Sequence, residues 1–153
     1  MGKSANELLT QEQFNAVCST VQTDNPDVSE DDAAVIVAEA LAFIATCVLF
    51  PAARLVPSRV VDAGWRALIL HTQTYAELCA RLGGFVHHRP EEPEPSRYDQ
   101  DVIDRTTALI EEAGYSVDLD LWGPPDGDLV SVAAKCQHSD ASGPIVPIPK
   151  PKG

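Results

Sequence analysis

Between Ala33 and Phe50 the chain runs for eighteen residues with only Glu39 and Thr46 interrupting an otherwise apolar stretch. That length sits at the lower edge of what crosses a hydrocarbon layer of about 30 Å. The details argue against a membrane span: six of the eighteen residues are Ala, Glu39 lies inside the run, Glu30-Asp31-Asp32 precedes it, Pro51 follows it, and no aromatic belt flanks it. A helix that is apolar on every side and is not in lipid belongs at the centre of other helices. The expectation is therefore a buried central helix, with Ser29 and Asp32 marking its start. Glu39 then needs a partner, and Arg54, Arg59 and Arg66 are the candidates, because an unpaired buried carboxylate is costly.

The rest of the chain offers amphipathic segments able to cover such a helix. Ser4 to about Val21 carries Leu8, Phe14, Val17, Cys18 and Val21 at helical intervals, with Ser4 and Glu7 spaced as a capping box. Ser58 is placed to cap a helix of about twelve residues with Val61, Trp65, Leu68 and Ile69 along one stripe. Thr74 and Glu77 read as another capping box, opening a short helix that puts Tyr75, Leu78, Cys79 and Leu82 on one face and stops at Gly83-Gly84. A fifth helix is expected from about Asp99 to Ala113, ending at Gly114. Val117, Leu119 and Leu121 alternate with Asp118 and Asp120, which suggests a short extended segment ending at Trp122. The spacing predicts a mainly α protein: a compact bundle of about five helices over residues 1–142, with a short extended C-terminal segment, followed by a flexible proline-rich tail over 143–153.

Charge narrows the partners. Twenty-three Asp and Glu against eleven Lys and Arg give a net charge of -12, which disfavours nucleic acid and an anionic membrane surface. The excess is uneven: residues 51–89 hold five Arg against two acids, Asp62 and Glu77. Four Cys at 18, 47, 79 and 136 are irregularly spaced, and a polar N-terminal stretch lacks a signal-type apolar run, so a cytoplasmic protein with reduced thiols is expected. The sequence contains no phosphate-binding glycine loop, dinucleotide fingerprint, H-E-x-x-H, G-x-S-x-G or EF-hand loop, so no standard enzyme class has support and activity as an enzyme is left open.

The most specific pattern is Val-Pro-Ser-x-x-Val-Asp-x-x-Trp from Val56 to Trp65, then Ile69-Leu70, Tyr75, Cys79, and Gly-Phe-x-His-His-x-Pro from Gly84 to Pro90. Over residues 41–90 it resembles the helical region of bacterial members of the glycine-rich domain-containing protein family. The resemblance implies a helical fold rather than an activity. Where that family's pattern has His directly after the Trp, this chain has Arg66, a group that neither ligates metals nor titrates near neutrality. Asp62 and Arg66 are spaced for a helical ion pair contributing about 0.2 to 0.5 kcal/mol.

Two site readings follow. In the first, a small accessory, interaction or ligand-binding domain uses Asp62, Trp65, Arg66, Tyr75, His87 and His88 to hold an anionic small molecule or a protein partner, with Trp65 as a wall. In the second, a transition metal such as Zn or Fe, neither certain, is held by His87, His88, Cys136 and His138, with Asp62, His71 or Cys79 as further donors. A continuous helix puts His71 on the side opposite Asp62, and the surroundings of Cys18, Cys47 and Cys79 mark them as buried thiols. Cys136, in polar surroundings, is the candidate ligand or reactive thiol. Asp118, Asp120, Asp126 and Asp128 form an acidic stretch able to bind Ca²⁺ or Mg²⁺ weakly. A third, purely structural reading has the chain dock onto a larger partner through Pro144 to Pro151.

Overall fold

The computed structural model describes residues 3–88 and 99–122. Among them are five α-helices: α1 (Gln11–Asp24), α2 (Glu30–Leu49), α3 (Arg59–Leu70), α4 (Thr72–Leu82) and α5 (Gln100–Glu112). Single 3-10 turns, Ala5–Leu8 and Leu119–Leu121, stand near either end. The described residues contain no β-strand, only an isolated bridge joining Lys3 to Tyr115. The fold is mainly α, as the spacing predicts.

The apolar run becomes the axis of the bundle. In α2, Ile36, Val37, Ala40, Leu41, Phe43 and Ile44 are all buried, and α1, α3, α5 and the first 3-10 turn pack around it. Being apolar on several sides, it can serve as common core for all of them. It is still long and apolar enough to cross a membrane by composition alone, but most of that stretch is covered by protein. The closest approach is to α3, whose Gly64 lies so near α2 that a Cβ there would stand 2.9 Å from both Cγ2 and the carbonyl oxygen of Ile36.

Three of the five expected helix starts hold: Asp99 caps α5, its side chain accepting from Asp101 N–H at 3.0 Å. Ser29 Oγ accepts from Asp32 N–H at 3.0 Å, and Ser58 Oγ accepts from Val61 N–H at 3.1 Å. The other two are corrected. Ser4 caps nothing with its side chain; the first long helix begins at Gln11, where Thr10 and Gln13 form the reciprocal capping box. Leu8 and Leu9 end a separate 3-10 turn, so their apolar spacing continues across a chain bend rather than along one helix. Likewise α4 opens at Thr72, directly after the end of α3 at His71, and Thr74 lies inside it. Gly83 and Gly114 adopt φ of 99° and 103°, the left-handed conformation that terminates α4 and α5.

Beyond Gly114 the chain runs back along the bundle as a strap, Tyr115–Trp122. Its last residues form a 3-10 turn instead of an extended run, because the Asp118 side chain accepts from Asp120 N–H and closes the turn locally. The turn buries the adjacent Leu121 and Trp122 and leaves Leu119 exposed, where strict alternation would have put Leu119 and Leu121 on one side. The predicted tail, 143–153, lies outside the described residues.

Candidate functional site: a carboxylate and an aromatic pair anchoring an extended segment

The first turns of α3, fixed by the Ser58 cap, carry Asp62, Trp65 and Arg66. Asp62 uses both carboxylate oxygens: Oδ2 accepts from Arg66 Nε at 2.8 Å, and Oδ1 bonds His88 Nε2 at 2.8 Å. The first contact is the expected helical pair. The second spans 26 residues and binds the chain after α4 to α3.

Trp65 lies beneath this pair. It is 6% exposed, and its ring packs against Phe43 of α2, with centroids 5.2 Å apart, and against His88 edge-on at 4.6 Å. Its indole N–H donates to Tyr75 Oη at 3.0 Å, and the Tyr75 hydroxyl in turn donates to the Val86 carbonyl. Burial, chiefly, holds the Tyr75 phenol above its usual range, with neighbouring Cys79 and Cys47 adding to the effect and the Trp65 N–H opposing it. The hydroxyl therefore stays protonated and available as a donor.

Together these bonds hold Gly84–His88 as an extended segment lying against α3 and α4. Successive side chains alternate: Val86 and His88 face the bundle, whereas Phe85 and His87 face outward. Phe85 is 55% exposed and meets both Tyr75 and His87 edge-on, with ring centroids 5.4 Å and 4.7 Å away. Arg66 of α3, paired to the same Asp62 carboxylate as His88, has a side chain 35% exposed.

All six residues of the first reading thus lie in one region, divided by role. Trp65 and Tyr75 are buried, Asp62 and His88 are half-buried and paired to each other, and His87 and Arg66 reach solvent. The metal set is not assembled in the same way. His87 and His88 diverge, Cys136 and His138 lie outside the described residues, and among the described residues no group of three His, Cys, Asp or Glu side chains could hold a metal ion. His71 ends α3 on another face and bonds Thr20 Oγ1 of α1 at 2.7 Å, while Cys79 is buried. Burial raises the Cys18 thiol to about 11, helped by Glu30, and the Cys47 thiol to about 12. Asp126 and Asp128 also lie outside the described residues.

Glu39 corrects an expectation. It is 7% exposed, and its partners among the described residues are not arginines: Oε1 accepts from Trp122 Nε1 at 2.9 Å and Oε2 from Asp118 N–H at 3.1 Å. Arg66 is drawn to Asp62 instead. The nearest donors to the middle of α2 come from the strap, which a search for cations passes over; Trp122 was the available signal, since a buried indole N–H needs an acceptor. Phe85 enters the sequence pattern as part of a motif, and the alternation Phe-Val-His-His already sets it outward.

Fold and site define a small, mainly helical domain with a hydrogen-bonded aromatic centre and an anchored extended segment. Residues 4–109 match the family model described as UCP032817-like, and the chain belongs to that uncharacterised family. No curated protein and no solved structure matches it.

Proposed function

We propose that this chain is a small intracellular accessory domain that binds the acidic segment of a protein partner on the outward face formed by Phe85, His87 and Arg66. The observation that carries this reading is the division of the Gly84–His88 segment. Its inward atoms, Val86 O and His88 Nε2, are occupied by bonds to Tyr75 and Asp62, and its outward side chains are an aromatic and an imidazole in edge contact. Aromatic side chains held rigidly at a surface are the usual anchors of recognition, and a neighbouring guanidinium adds preference for carboxylates. The surrounding sequence, residues 51–89, is the locally basic part of an otherwise acidic chain, which favours an acidic partner there and disfavours one elsewhere. The likeness to glycine-rich domain-containing proteins over residues 41–90 supports a shared architecture for this region.

A photo-crosslinking phenylalanine analogue placed at Phe85 in living cells tests the reading. It predicts one discrete protein adduct, carrying an acidic stretch at the crosslinked peptide, that is lost in Arg66→Glu while the circular dichroism spectrum is unchanged. No discrete adduct, or an adduct indifferent to Arg66→Glu, contradicts it.

A further inference from the structure

Among the described residues, hydrogen bonds reach the Gly84–His88 segment only at alternate positions. Gly84 N–H donates to the Cys79 carbonyl at 3.1 Å, the Val86 carbonyl accepts from the Tyr75 hydroxyl, and His88 Nε2 meets Asp62 Oδ1 at 2.8 Å. The start of the segment also lies against the end of α2, where a Cβ on Gly84 would stand 3.5 Å from Val48 Cγ1. In an extended chain the N–H and C=O of one residue point to one edge and those of the next residue to the other. With the Val86 carbonyl turned to α4, the N–H and C=O of Phe85 and His87 point to the opposite edge. None of these groups is hydrogen-bonded among the described residues, and both Phe85 and His87 are exposed.

We propose that this edge receives an extended peptide as an added strand, paired through the main chain of Phe85 and His87. The proposal rests on reading the outward face as one that binds an acidic segment, and it supplies the way that segment is held. Unpaired main-chain groups on a segment fixed at both ends form a template. The ordering cost on this side is already met, and hydrogen bonds to an extended partner add affinity whatever its side chains. Specificity then comes from the side chains: residues of the added strand opposite Phe85 and His87 carry theirs on the same outward face, beside the aromatic ring and the imidazole. Charge selects between the two occupants that an open strand edge admits. A second copy would bring a net charge of -12 to another of -12 and set the basic stretch 51–89 against itself. An acidic strand meets that stretch with opposite charge, so the edge is assigned to a different chain.

The probe is a capped eight-residue peptide alternating glutamate and valine, titrated into the full chain and followed by calorimetry and amide exchange. Beside it stand a threonine–valine peptide and two N-methylated forms of the acidic one, methylated at every glutamate or at every valine. Only one set of alternate N–H groups in an added strand faces the edge. One methylated peptide is therefore expected to bind about tenfold or more weakly while the other stays within about threefold of the parent. With the parent bound, the Phe85 and His87 amides should exchange about tenfold or more slowly, and the threonine peptide should bind about tenfold or more weakly than the acidic one. Binding of the acidic peptide with equal affinity for the two methylated forms, or without slowing at Phe85 and His87, overturns the added strand and leaves the acidic reading standing. Edge-selective binding in which the threonine peptide equals the acidic one upholds the added strand and overturns the acidic reading. No binding at peptide concentrations up to about 1 mM overturns both. Slowing of the two amides as protein concentration rises, with no peptide present, gives the edge to a second copy and overturns the proposal as well.

Discussion

Asp62 spends one carboxylate on two tasks, steadying Arg66 within its own helix and fastening His88 from beyond the next. The two are unequal. The Arg66 contact is a partly exposed helical pair contributing about 0.3 to 0.5 kcal/mol, whereas His88 is half-buried and would be left without its partner. Asp62→Ala is accordingly expected to cost about 1 to 2 kcal/mol and Arg66→Ala no more than about 0.5 kcal/mol in urea unfolding. Gly64 sets the opposite kind of limit. Gly→Ala inside a helix normally gains up to about 1 kcal/mol, but here the new methyl meets the backbone oxygen of Ile36, which cannot swing aside. Gly64→Ala should therefore lower stability by about 1 to 2 kcal/mol, measured as a drop in the urea midpoint. Thiol chemistry follows burial as well: Cys18 and Cys47, both raised, should react with a disulfide reagent far more slowly in the native chain than in urea.

At the scale of elements, the caps separate what was legible from what was not. Ser29 and Ser58 follow Pro26 and Pro57 within three residues and are separated from the apolar runs they open by only one to three charged residues, so local chemistry alone locates them. Ser4 and Thr74 satisfy the same spacing rule, yet tertiary packing overrides it: Leu9 is buried at the end of a 3-10 turn, and α4 follows α3 almost without a break. The segment after α4 was legible as a motif and not as a shape, because its conformation depends on bonds to Tyr75 and Asp62, 11 and 26 residues away. Glu39 shows the same limit. A lone acid in an apolar run announces that a partner exists, but the partner lies 83 residues along the chain at Trp122. Ser58 joins both kinds of information, capping α3 and donating to Leu121 O. Ser58→Ala should cost about 1 to 2 kcal/mol, more than a cap alone, since the Leu121 carbonyl is orphaned too.

For the whole molecule, the two polar centres share Phe43, whose ring centroid lies 5.2 Å from that of Trp65 and 6.3 Å from that of Trp122. One centre fastens the segment that follows α4 and the other fastens the strap that follows α5. The Glu39 centre gives the fold a pH dependence whose sign follows from the direction of its shift. The folded value lies above the ordinary 4.5, so the stabilisation is complete below that pH and is lost as pH rises through about 7. Urea midpoints should therefore decline between pH 5 and 8, and the decline should disappear in Glu39→Gln. Among the described residues, inward side chains of the Asp62 region are hydrogen-bonded into the fold while outward Phe85 and His87 are not, and the unfolding free energies of Tyr75→Phe and His87→Ala separate the two roles. Tyr75→Phe strands the Trp65 N–H and the Val86 carbonyl and is expected to cost about 1 to 3 kcal/mol, with His87→Ala within about 0.5 kcal/mol of the wild-type chain. Equal losses in the two variants, or a larger loss in His87→Ala, would contradict that division.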